Sequence, residues 1–163
     1  MRSTIFTSAL ALACAVLPVR AEQITTACYA RQYSAKHLAT HPDQVVAEMR
    51  LRFYDWDGGA YADLDILTAD QGHARANGQG GQRFDQFLLC FIDSEGAPGC
   101  AVECDGGSFR ITRDDGEVMD IRTDYLMVGD TEGCGGAIDL AEKPDQAVTY
   151  RLYRVGDDTC ETE

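Results

Sequence analysis

The chain has 163 residues, with 27 acidic against 14 basic side chains and a formal charge of −13. That length supports one domain or two small ones, and a 45% hydrophobic content excludes wholesale disorder. So acidic a chain is also excluded as a nucleic-acid binder, because a phosphate backbone is gripped by Lys and Arg.

Residues 1–21 (MRSTIFTSALALACAVLPVRA) have the layout of a secretory signal. Arg2 supplies the positive end, Ile5 to Leu17 the apolar stretch, Pro18 its stop and Ala21 a small residue at the cleavage position. The stretch falls short of the about 20 apolar residues that span a bilayer. Cleavage is expected between Ala21 and Glu22, leaving residues 22–163 as a single all-β domain, periplasmic or extracellular, with no transmembrane segment. Ala11-Leu12-Ala13-Cys14 resembles a lipobox only loosely, with Ala11 where Leu is usual, so a lipid anchor through Cys14 is not expected.

Loss of Arg2 and Arg20 moves the charge from −13 to −15, and loss of Cys14 reduces seven cysteines to six. These are Cys28, Cys90, Cys100, Cys104, Cys134 and Cys160. An even set in an exported chain is expected to form three disulfides. Cys28 with Cys160, joining the two ends, is the preferred pair, and Cys90 is expected to bridge to Cys100 or Cys104. Cys100 and Cys104 could pair only across a turn, since four residues of strand cover about 13 Å.

The one helix expected runs from Ser34 to His41: Ser34 can accept a backbone N–H as its cap, and Pro42 forces its end. From Val45 the apolar period becomes two. Met49, Leu51 and Phe53 share one face, and Ala62, Leu64 and Ile66 share one face beyond Asp57-Gly58. Asp-Gly favours a two-residue type I′ loop. That loop opposes Phe53 to Ala62, Leu51 to Leu64 and Met49 to Ile66. It also sets Arg52 against Asp63, Arg50 against Asp65 and Tyr54 against Tyr61, and a one-residue slip would break all six pairs.

Four further strands are expected over residues 84–92, 101–104, 123–128 and 147–155. Residues 87–92 (FLLCFI) are apolar on both faces and so are expected to form the most buried strand. A second hairpin is expected at Asp114-Asp115-Gly116, with a three-residue loop. It sets Arg113 against Glu117, Ile111 against Met119, Arg110 against Asp120 and Phe109 against Ile121. Seven to eight short strands with turn signals between them predict a single antiparallel barrel or sandwich. The longest loop runs from Thr68 to Arg83, with His73, Arg75 and Asn77 near its middle, and a loop of that length is either functional or mobile.

Chemistry is sparse. His37 and His41 stand four apart, as a metal pair on one helix face would, and His73 could complete three ligands. No HExxH accompanies them, so no metal or other cofactor is expected. Asp55-Trp56-Asp57-Gly58-Gly59 resembles a calcium loop, but Gly59 holds the fifth position and no Glu closes it. The mature serines, Ser34, Ser94 and Ser108, lie in no Gly-x-Ser-x-Gly, and the cysteines are expected to be bridged.

The outward face of the first hairpin is the notable feature. Tyr54, Trp56 and Tyr61 stand there beside Arg50, Arg52, Asp63 and Asp65, with Trp56 opposite Gly59, where an aromatic can shield bare backbone. Tyr, Trp and Arg also anchor interfaces. The leading expectation is a non-catalytic binding domain that takes or inhibits a basic protein, steered by its negative charge. The alternative is a β-barrel enclosing a small ligand, and a metal-dependent enzyme using His37, His41 and His73 ranks below both. The candidate binding residues are Tyr54, Trp56, Tyr61, His73, Arg75 and Asn77.

Overall fold

The computed structural model describes residues 26–129 and 136–161. The expected signal segment, with its Cys14, lies outside the described residues, as does Cys134.

The two-residue alternation produces nine strands: β1 (Ala27–Gln32), β2 (Val46–Trp56), β3 (Gly59–Thr68), β4 (Arg83–Ile92), β5 (Pro98–Ala101), β6 (Gly107–Asp114), β7 (Val118–Val128), β8 (Ile138–Asp139) and β9 (Val148–Val155). β1 to β7 form a meander in which each strand pairs antiparallel with the next. β9 then lies between β7 and β1, antiparallel to both. The result is a closed eight-stranded barrel, with β8 as a short extra strand beside the end of β7. Closure gives each of the eight main strands a neighbour on both sides, although the short β5 pairs with only Leu89 to Ile92 of β4.

Inward positions fill the barrel. Tyr29, Met49, Leu51, Phe53, Leu64, Ile66, Leu88, Phe109, Ile121 and Tyr150 are all fully buried. Burying each such side chain contributes about 1.5–3 kcal/mol, which makes this interior the main source of stability.

The first hairpin has the predicted register at all six pairs. Asp57 and Gly58 take φ of 49° and 79°, the two positive values that a type I′ loop requires. The second hairpin does not have its predicted register. Ile111 faces Ile121, Arg113 faces Asp120 and Asp114 faces Met119, with two irregularities along the pair. The turn is longer because its carboxylates cap it: Asp114 accepts the N–H of Gly116, and Asp115 accepts those of Glu117 and Val118. Ile111 is displaced by two residues along its partner, so the apolar faces stay inward while the cross-strand partners change. Arg110 therefore pairs with Asp93 rather than Asp120, and Asp120 takes Arg151 at 2.7 Å.

Other expectations are also corrected. β4 is not the most buried strand: Phe87, Leu89 and Ile92 are exposed and Leu88 is its one fully buried residue. A closed barrel has solvent outside, so an all-apolar run must leave one face wet. The strand expected over 101–104 lies earlier, at β5, and Cys104 sits in the following turn with φ 60°.

A helix α1 (Ala35–Thr40) forms where expected, with Ser34 accepting the N–H of His37. The long loop is not structureless, since it contains a second helix, α2 (Gly72–Ala76), with Ala74 fully buried. Gln71 donates to the carbonyls of His41 and Gln44, and His73 donates to that of Asp139. Thr68 donates to the carbonyl of Gln79. Together α1, α2 and residues 136–142 close one end of the barrel. The hairpin tips and a 3-10 turn (Asp157–Cys160) occupy the other. No helix among the described residues is long and apolar enough to cross a membrane.

Two disulfides form among the described residues. Cys28–Cys160 ties the start of β1 to the turn after β9, as preferred from the sequence, and Cys90–Cys100 links β4 to β5. Cys28–Cys160 encloses 132 residues of separation, so replacing both cysteines by Ala is expected to lower the unfolding free energy by about 4–5 kcal/mol in urea titrations. A loss under about 1 kcal/mol would show that the β1–β9 pairing holds the ends together unaided.

Candidate functional site

The outward positions of β2, β3 and β4 divide into two zones. Near the end closed by α1 and α2, they carry charge. Glu48 pairs with Arg50 at 2.5 Å and with Arg83 at 3.4 Å, and Asp65 pairs with Arg83, with Arg50 3.9 Å away. Toward the hairpin tips the same face becomes aromatic. Tyr54 and Trp56 stand on β2, Tyr61 on β3, and Phe87 and Leu89 on β4.

Tyr61 is the centre of this strip. Its ring lies 6.1 Å from that of Tyr54, 5.8 Å from Trp56 and 5.4 Å from Phe87. It also covers the bare backbone of Gly59, where an added Cβ would come within 2.8 Å of the ring. Trp56 does face Gly59 across the hairpin, but the shielding ring is that of Tyr61, which leaves Trp56 65% exposed. Phe87 and Leu89 extend the strip onto β4 at 41% and 37% exposure. Aromatic side chains so exposed and so close together form a contiguous apolar surface, which is uncommon on a lone soluble domain.

Carboxylates rim the strip. Asp57, Asp63 and Asp85 are all exposed. The Tyr54 hydroxyl donates to Asp63 at 3.1 Å, and burial together with that carboxylate pushes the Tyr54 pKa upward. Arg52 stands opposite Asp63 across the hairpin, while Asp63 accepts from the Tyr54 hydroxyl.

Of the residues marked in the sequence, the structure brings Tyr54, Trp56 and Tyr61 together. His73, Arg75 and Asn77 lie at the other end of the barrel. His73 is bonded to the Asp139 carbonyl, Arg75 pairs with Asp70 at 3.0 Å, and Asn77 is the C-cap of α2. His37 and His41 stack face to face, ring centroids 4.0 Å apart and 12° from parallel. His37 Nε2 donates to Gln44, and His41 Nδ1 donates to the His37 carbonyl. Rings so stacked hold separate parallel planes, so one ion cannot lie in both, and His73 is occupied elsewhere. Among the described residues no three His, Cys, Asp or Glu side chains gather as metal ligands.

The sequence does not mark Phe87 and Leu89 as binding residues, because the apolar run from Phe87 to Ile92 predicts a strand buried on both faces. Asp85 carried the signal that could have found them. It lies on the same face of β4, and an exposed carboxylate there sets Phe87 and Leu89 outward by the two-residue period.

No family model matches the chain, and no curated protein or solved structure matches it either.

Beside α1 lies a second aromatic group of different character. Tyr33 stacks on His37 at 4.8 Å, and burial pushes its hydroxyl up to about 12. Tyr29 and Tyr150 are raised by burial as well, with Asp114 next in effect at Tyr29 and Glu142 at Tyr150. A phenol whose folded pKa is raised favours folding fully below its unfolded value of 10.0, and that contribution is lost as pH climbs through the folded value. Stability is therefore expected to fall between pH 10 and about 12, and Tyr33→Phe should make the fall shallower in denaturant titrations over that range. An unchanged alkaline profile in Y33F would remove Tyr33 from this account.

Proposed function

We propose that this chain is an exported, non-catalytic binding domain that docks a basic protein on the aromatic strip of β2, β3 and β4. The observation that carries this reading is the strip itself: five neighbouring aromatic and aliphatic side chains, centred on Tyr61, rimmed by three exposed aspartates. Burying Trp56 and Phe87 against a partner supplies the affinity, because large aromatic anchors at the centre of an interface dominate its energy. The aspartate rim and the net negative charge supply the encounter rate and select for cations. A ligand enclosed in the barrel has less in its favour, since Tyr29, Phe53, Phe109 and Tyr150 occupy the interior.

Export accounts for the disulfides, which persist in oxidising compartments. The same compartment is the basis for expecting a third bridge among the six mature cysteines. Denatured, unreduced mature protein is then expected to bind no thiol reagent, and two reactive thiols would refute that bridge.

The docking proposal is tested with immobilised, oxidised protein offered the exported proteins of its own source. A basic protein should be retained at low salt and released at high salt, and Trp56→Ala/Phe87→Ala should fail to retain it. Trp56 is the sole tryptophan, so the eluted partner should shift the emission of the wild-type domain on mixing. Equal retention by the double variant would place the interface elsewhere, and retention of nothing basic would overturn the reading.

A further inference from the structure

A groove of 440 Å³ lies beyond the charged zone of β2, along β9, β1 and β2 beside the 3-10 turn. Its size falls within the range of small-molecule sites. Arg31, Gln32, Glu48, Arg50, Tyr153 and Thr159 line it. Two arginines border this groove, and they are in different states.

Arg50 is committed to Glu48 at 2.5 Å. Arg31 is not committed to any acid: among the described residues it has neither an ion pair nor a hydrogen-bond acceptor, and its Nε is buried without a partner. Two rings hold it instead, with the guanidinium carbon 5.1 Å from the centroid of Tyr33 and 5.0 Å from that of Tyr153. In a chain with 27 acids to 14 basic groups, an arginine packed on tyrosines with no acid beside it retains unused hydrogen-bonding capacity for something else. The rings also restrict its rotamers, so a ligand would meet a preorganised fork of donors and lose little side-chain entropy.

The groove's chemistry narrows the ligand. A guanidinium matches a carboxylate in plane and spacing. Tyr153, 40% exposed, offers an aromatic wall to whatever carries that carboxylate. Glu48 stands in the same lining and opposes a second negative charge, which disfavours phosphate and polycarboxylates. We propose that this groove binds a small organic monocarboxylate, with the carboxylate on Arg31 and an apolar body against Tyr153. The site is independent of the aromatic strip on β2, β3 and β4.

The carboxylate could belong to a free small molecule or to the C-terminus of a peptide, and two probes separate these. ¹H–¹⁵N spectra of mature, oxidised protein are recorded during titration with phenylacetate and, separately, with Gly-Gly-Phe. Saturable shifts are expected at residues 30–32 and 153–155 and at the Arg31 Nε–H. The neutral counterparts, phenylacetamide and Gly-Gly-Phe amide, should bind at least about tenfold more weakly, since a charge-assisted hydrogen bond is lost. Arg31→Gln should lose the same factor while keeping a dispersed spectrum, Arg31→Lys should lose less, and Trp56→Ala should lose nothing. Saturation by phenylacetate alone assigns a free small molecule, and saturation by Gly-Gly-Phe alone assigns a chain terminus. Failure of both acids to saturate, equal binding of acid and amide, undiminished binding by R31Q, or tighter binding of inorganic phosphate would each overturn the proposal.

Discussion

The pairing of β9 with both β1 and β7 is the constraint on which the rest of the molecule depends. Strands β1 to β7 would otherwise form an open sheet with one apolar face and two unpaired edges. Insertion of β9 between them satisfies both edges at once, and it turns one face of every strand into a sealed interior. Cys28–Cys160 fastens the closure where the chain enters and leaves it. Because this pair joins residues far apart in sequence, its ordering cost falls mainly on the unfolded chain, where a long loop is forbidden.

Closure also decides what the outside can be. With the interior filled by large apolar side chains, the outer wall has no second layer to cover it, so residues there are either paired charges or exposed rings. The charged zone around Glu48, Arg50, Asp65 and Arg83 shows the first solution. Asp120 shows it in its tightest form, held below the usual carboxylate range by hydrogen bonds from Arg151. Exposed ion pairs of this kind add little net stability, about 0–1 kcal/mol each. Their effect is to keep part of the acid excess local. Asp57, Asp63 and Asp85, beside the aromatic strip, are among the acids left outside these ion pairs.

The two ends of the barrel have different tasks. The end closed by α1 and α2 is built from side chains committed to backbone carbonyls, as with Gln71, His73 and Tyr150. Those contacts use up the histidine and glutamine groups that a functional loop would need free. The adjoining walls instead leave rings exposed, among them Trp56, Phe87 and Tyr153. Both proposed sites therefore lie on outer walls of the barrel rather than on the loop that the sequence marked.

The sequence by itself determined the parts of this protein whose causes are local. Asp57-Gly58 set the first hairpin because few dipeptides accept two positive φ values, and the alternating residues on either side could match in one register only. Ser34 and Pro42 bounded α1 for similarly local reasons, and the position of Cys28 and Cys160 near the two ends marked their bridge. The second hairpin was legible in its faces but not its register, because Asp114 and Asp115 lengthen the turn through side-chain hydrogen bonds that spacing does not reveal. Only the tertiary structure decided which face of β4 is wet, since an apolar run is ambiguous until closure puts solvent on one side. It alone added Phe87 and Leu89 to the strip around Tyr61, and it alone set Arg31 between Tyr33 and Tyr153. Those groupings join strands distant in the chain, and no local preference encodes a meeting that closure of the barrel creates.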